Sequence, residues 1–238
     1  MSLILTTKNK IVIAILFFFS MVLQAQDFDD LTNDVQDSIR ANTTQRYAIF
    51  TIGGFAPIKR NNSTYQNGTD ITFGFDFGAQ LFVYDRFFIG GHINTNKAEV
   101  TNKTLVGEYD KTKITLFYLE LGYEFEFNKK FNLGVSSSPL GKANYNNTIT
   151  NSSNLKSQTD IANVILFNTY LRYNFSQNFS LFASYSFRND NLKIVAAPEI
   201  QNSFDNIQYH NFGFGLKYAV GLRSMFKRPS YYRDYDMN

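Results

Sequence analysis

Residues 71–83 read ITFGFDFGAQLFV. Ile71, Phe73, Phe75, Phe77, Ala79, Leu81 and Val83 fall on one side of an extended chain, and Thr72, Gly74, Asp76, Gly78, Gln80 and Phe82 fall on the other. A period of two marks a strand with unlike faces. This row is longer than the usual globular strand of about 5–6 residues. The pattern returns with Phe117, Leu119, Leu121, Tyr123, Phe125 and Phe127 set against Tyr118, Glu120, Gly122, Glu124 and Glu126. It returns again through 131–136, 167–175, 179–188 and 212–220, and more weakly where Phe87, Ile89, Gly91 and Ile93 oppose Gly90, His92 and Asn94. Residues 46–57 read as a strand whose faces the pattern does not assign. Eight strands are therefore predicted, about 46–57, 70–83, 87–99, 112–127, 131–145, 161–175, 179–190 and 206–220. Three-residue turns at 84–86, 128–130 and 176–178 alternate with long polar stretches near 58–69, 100–111, 146–160 and 191–205, and no Pro interrupts a long apolar row.

Alternation alone does not say which face is wet. A soluble barrel keeps its apolar face inside, and a membrane barrel keeps it outside. Gly74, Gly78, Gly90, Gly122, Gly134, Gly213 and Gly215 all fall on the less apolar face. Glycine weakens an exposed strand but suits the crowded lumen of a small barrel. The other face is mostly Phe, Leu and Tyr on six or more strands, too much bulk for an eight-stranded interior that side chains already fill. Short turns alternating with long polar loops match barrels with tight periplasmic turns and long external loops. Tyr84, Phe87, Phe88, Phe127, Phe131, Phe175 and Phe179 crowd the short turns, where an interfacial aromatic girdle would lie.

On these rows, turns and aromatics, residues 46–220 resemble the OmpA/OmpX-like family of small outer-membrane barrels. The resemblance is architectural and rests on no family-defining motif. It implies an all-β, eight-stranded antiparallel transmembrane β-barrel in the bacterial outer membrane. Two features depart from it. The chain has no Trp for its girdle, and eighteen residues follow Val220, whereas the resemblance implies a chain ending on an aromatic residue of the last strand.

The flanks read differently. Lys8 and Lys10 precede the apolar run 11–23, and Leu23-Gln24-Ala25 offers a small residue for cleavage, the order of a secretory signal. The run is shorter than the about 20 residues a spanning helix needs. Residues 1–25 are expected to be a signal peptide and the mature chain to begin at Gln26, without a cysteine for lipid anchoring. Residues 26–45 form an acidic, helix-like extension of net charge −4, with Phe28, Leu31, Val35 and Ile39 at helical spacing. Residues 221–238 form a tail of net charge +2 in which Arg223, Lys227 and Arg228 accompany Tyr231 and Tyr232. An even strand number puts both extensions in the periplasm, where this apolar stripe and these basic and aromatic residues are candidate contacts for other envelope proteins.

Composition excludes several functions. The chain carries 25 Phe and 15 Tyr, 18% charged residues and a formal charge of +3. Without Lys8 and Lys10 the balance is +1, too little for a general pull on nucleic acid. No cysteine is present, so disulfides, thiolate metal sites and cysteine nucleophiles are excluded. Two separated histidines, His92 and His210, are a poor start for a transition-metal site, and no cofactor is expected. A lipid hydrolase would need a Ser–His pair; neither histidine has a serine beside it on its own strand face, which leaves only a cross-strand pair open. Asn-x-Ser/Thr triplets at Asn42, Asn61, Asn67 and Asn102 are read as coincidences of Asn/Thr-rich loops. The expected lumen carries Asp76, His92, Glu120, Glu124, Glu126, Arg172, Arg188 and Lys217. These are read as paired charges plugging a narrow barrel rather than an ion path or acid–base site. The expected function is a non-catalytic structural or accessory subunit of a larger outer-membrane assembly, with contacts to lipid and to other envelope proteins. A narrow small-solute channel of porin type is the alternative, and a lipid-modifying enzyme stands behind both.

Overall fold

A computed structural model describes residues 46–60, 63–149, 157–192 and 206–221. The expected signal, the acidic extension and the basic-aromatic tail, with Phe28, Leu31, Val35, Ile39, Arg223, Lys227, Arg228, Tyr231 and Tyr232, lie outside the described residues. The elements run β1 (Ala48–Lys59), α1 (Thr64–Asn67), β2 (Thr69–Ile71), β3 (Gly74–Tyr84), β4 (Phe87–Val100), α2 (Lys103–Val106), β5 (Lys111–Glu126), β6 (Phe131–Thr148), β7 (Ser157–Asn174), β8 (Phe179–Leu192) and β9 (Ile207–Val220). Each of β3 to β8 pairs antiparallel with the next, and β1 pairs with both β3 and β9. The ring of β1 and β3 to β9 therefore closes on itself. Eight strands form the ring, and β2 continues the track of β3 along β4, with Ile71 opposite Ala98.

The strand expected over 70–83 is thus interrupted at Thr72–Phe73. There the Phe73 ring lies over the lipid-facing side of β1, so close to Gly54 that a Cβ would sit 2.1 Å from Phe73 Cζ. Tyr84 belongs to β3, leaving Asp85 and Arg86 as the turn, with Asp85 at φ 49° in the left-handed region that short-side-chain acids tolerate. β6 contains a bulge between Ser138 and Gly141. Pro139 sits in it, where the ladder is already broken and a missing N–H costs nothing.

The faces divide as the glycines suggested. Phe75, Phe77, Leu81, Ile89, Ile93, Phe117, Leu119, Leu121, Phe125, Phe167, Leu171 and Phe214 are exposed on the outer wall, while Gln80, Glu120, Glu124 and Arg172 are buried inside. A contiguous apolar exterior of this extent is stable only against another apolar medium, and the closed ladder satisfies the backbone polar groups there. β1, unassigned from sequence, turns Phe50, Ile52 and Ile58 outward and Ile49, Thr51 and Phe55 inward. Phe88 corrects the expected girdle. It is buried in the lumen with Phe82, Ile49, Phe182, Tyr170 and Ala219.

The polarity inverts towards the long-loop end. On β5 the outward residues Phe125, Tyr123, Leu121, Leu119 and Phe117 give way to Thr115, Lys113 and Lys111, while the inward residues become Leu116, Ile114 and Thr112. The buried cluster there includes Tyr118, Tyr145, Val164, Leu166 and Tyr209, with Tyr65 inserted from α1. Spanning takes about 9–11 tilted residues, whereas β6 and β7 have 18 each, so the barrel continues beyond the bilayer with a soluble protein's inside-out order. Residues 146–148 and 157–160, within the stretch expected as loop, are consequently strand. A cysteine at Lys113 in the otherwise cysteine-free chain should react in intact cells with a membrane-impermeant maleimide. One at Leu119 should not, and equal labelling of the two would sink the inversion.

Candidate functional site in the barrel lumen

Eight strands leave a lumen that side chains fill, and glycines on the wall make room for the largest of them. Gly78 is one. A Cβ there would stand 2.2 Å from Nδ1 of His92. The His92 ring, buried on β4 and stacked on Tyr118 at 5.0 Å, lies between two carboxylates. Its Nδ1 is 3.1 Å from Asp76 Oδ1 on β3 and its Nε2 is 3.1 Å from Glu120 Oε1 on β5. An ionised carboxylate only accepts hydrogen bonds, so this arrangement suits an imidazolium donating from both nitrogens.

The network continues from Glu120. Ser136 donates to its Oε2 at 2.6 Å, and Gln80 Nε2 donates to its Oε1 at 2.8 Å. The Gln80 carbonyl accepts from Lys217 Nζ at 2.9 Å. The same ammonium lies 3.8 Å from the centre of the Tyr170 ring, a cation–π contact in a desolvated setting. Tyr170 in turn donates to Glu124 at 2.9 Å, and Arg172 donates to the other oxygen of Glu124. Nearer the short turns Arg86 donates to Glu126. Four acids (Asp76, Glu120, Glu124, Glu126) thus face four bases (Arg86, His92, Arg172, Lys217). That balance is what burial of charge demands.

Of the eight candidate lumen residues, seven belong to this chain of contacts or its Arg86 outlier. Arg188 stands apart. It donates to Asp190, two residues along on the same face of β8, and lies over the Tyr209 ring at 5.3 Å, while Tyr145 also donates to Asp190. Gln80, Ser136, Tyr170, Arg86 and Asp190 were not singled out from sequence. Gln80 and Ser136 were visible on lumen-facing rows, but a neutral side chain becomes informative only when its cross-strand neighbours are known. His210 faces outward, its Nδ1 2.6 Å from the Tyr185 hydroxyl.

Between the network and β1, β8 and β9 lies a residual cavity of about 40 Å³, lined among others by Thr51, Asp76, His92, Asn211 and Lys217. Thr51 Oγ1 and Asn211 Oδ1 are buried there without a protein partner, and the space suits on the order of three waters. Among the described residues no group of three or more His, Cys, Asp or Glu is placed to hold a metal ion. Above the barrel rim, Lys103 of α2 donates to Asp110 at 2.7 Å, a bond that raises the lysine's pKa above its ordinary value.

A closed antiparallel barrel of eight strands with an apolar exterior and a polar-centred lumen is an outer-membrane-type β-barrel, resembling the small OmpA/OmpX-like barrels in architecture. One solved structure supports the fold. Neisserial surface protein A superposes with a TM-score of 0.51 at 10% identity, over 73% of this chain and 97% of that one. Lower scores come from outer membrane protein AlkL in lipid bilayers (0.43, 14% identity, 77% and 94%) and from the N-terminal barrel domain of Pseudomonas aeruginosa OprF (0.39, 16% identity, 73% and 98%). No family model and no characterised protein matches the sequence.

Proposed function

We propose that this protein is a non-conducting, non-catalytic barrel of the outer membrane that serves as a structural or accessory subunit of a larger envelope assembly. The observation that carries the reading is the filled lumen. Charged groups from β3, β4, β5, β7 and β9 join across it in ion pairs and hydrogen bonds, and the cavity beside that network is about 40 Å³. A solute path would need those contacts broken. The histidine geometry argues the same way against hydrolysis, since both His92 nitrogens are occupied by carboxylates and His210 is engaged with Tyr185 rather than a serine. The subunit role rests on the flanking segments 26–45 and 221–238, which a membrane barrel does not itself require.

Planar-bilayer recordings should show no sustained conductance. A steady open channel altered by Glu124→Gln or Arg172→Gln would replace this reading with that of a narrow small-solute channel. After mild detergent extraction, proteins that co-purify with the intact chain should be lost on deleting 221–238 or on changing Leu31 and Val35 to Asp, while the barrel still assembles. Retention of every partner by both variants would move the contacts to the loops or the lipid-facing wall.

A further inference from the structure

The outer wall of β4, β5 and β6 carries an uncompensated positive cluster at the level where the apolar band ends. Lys97 and Lys113 are directly paired across β4 and β5, which brings their Cβ atoms to about 4.5–5.5 Å. Like charges in that position repel and destabilise a sheet. Lys142 on β6 projects from the same wall, opposite Phe117 and two rungs below Lys113. All three are exposed, and none is in an ion pair among the described residues. The nearby acids lie further out along the wall. Glu99 and Asp70 stand one rung beyond Lys97, where Glu99 faces Lys111 and Asp70 lies 3.6 Å from Lys59. The remaining outward side chains beside the cluster, Thr95, Thr115, Asn144 and Asn146, are neutral.

Depth decides what could compensate this charge. The outward residues next below the lysines are Thr95 and Ile93 on β4, Thr115 and Phe117 on β5, and Leu140 on β6, and Ile93, Phe117 and Leu140 are exposed apolar side chains. Those residues face acyl chains, so the Lys97 and Lys113 ammonium groups emerge at the headgroup layer, and Lys142, opposite Phe117, reaches that layer by extending its long side chain along the wall. The long connections assign this end to the external leaflet.

We propose that Lys97, Lys113 and Lys142 form a binding site for a phosphate-bearing lipid headgroup of the external leaflet. The phosphate would sit between the paired lysines and relieve their repulsion, with Thr95 and Thr115 as hydroxyl donors and Lys142 closing the site from β6. The site rests on the barrel's placement in a membrane but not on its proposed subunit role, so loss of partners and loss of lipid binding are separable results.

The test uses the full mature chain in phosphatidylcholine nanodiscs doped with fluorescent phosphatidic acid, comparing wild type with K97Q/K113Q/K142Q. Wild type should retain phosphatidic acid, and the triple variant should bind it about tenfold or more weakly. K129Q/K130Q, at the opposite end of the barrel, should bind like wild type. The unboiled gel shift should be the same for all three proteins, because the replaced side chains pack against nothing in the lumen. Equal retention by wild type and the triple variant would overturn the proposal. Full displacement of the lipid by millimolar inorganic phosphate would also overturn it, by making the ligand a soluble anion.

Discussion

Changing Arg172 to Met should lower the stability of the folded barrel by about 3–5 kcal/mol, the cost of leaving a buried charge without its partner. Arg172 and Glu124 are each only 3% exposed at the side chain. Among the described residues, removing the guanidinium leaves the Glu124 carboxylate with only the Tyr170 hydroxyl donating to it. The pair itself adds little net stability, because two desolvated ions roughly offset their attraction and Arg172 Nε is buried without a partner. The double change Arg172→Met with Glu124→Leu should therefore recover most of the loss. Urea unfolding in lipid vesicles, followed by the gel shift of unboiled samples, would measure both. A single variant within about 1 kcal/mol of wild type would show that the lumen admits enough water to solvate Glu124, which would also weaken the case for a closed barrel.

Gly134→Ala should be at least as damaging, for a steric reason. A Cβ on Gly134 would lie 2.1 Å from Cζ of the Tyr170 ring, and that ring cannot retreat. Lys217 Nζ sits 3.8 Å from its centre and its hydroxyl is bonded to Glu124. Overpacking usually costs about 1–3 kcal/mol, and the upper end or beyond is expected where the obstacle is a fixed aromatic ring. Tyr170→Ala alone should cost about 3–5 kcal/mol through the void it leaves. Added to Tyr170→Ala, however, Gly134→Ala should cost less than about 1 kcal/mol, because its obstacle has gone. Strict additivity in this cycle would mean that the ring does not occupy the space over Gly134.

The membrane fold was legible because a strand's side chains alternate with a period of two, and a barrel with lipid outside and a crowded lumen inside imposes that period on every strand. Residues 71–83 and 117–127 announced their faces through Phe and Leu alone. The glycines opposite them identified the inner face, since only a packed lumen gives a missing Cβ a purpose. Strand ends within a few residues and the positions of the short turns followed from the same rows. The lumen candidates were legible only as a set. Sequence placed Asp76, His92, Glu120 and Lys217 on inward rows but carried no information about which would meet, because pairing depends on register and shear between strands far apart in the chain.

Three features belonged to the tertiary structure alone. Arg188 pairs with Asp190 in an upper, largely apolar core instead of joining the main network, a matter of height in the barrel that no row shows. Phe88 turns into the lumen because Gly122, across the β4–β5 ladder, leaves space for its ring, although aromatic composition near a turn suggested the girdle. The inversion above the bilayer was hidden because a row such as Lys111, Lys113 and Thr115 against Thr112, Ile114 and Leu116 keeps the same period as the membrane rows. Periodicity records that two faces differ but not which medium each one meets. That is set by where the closed ring places each rung relative to the apolar band.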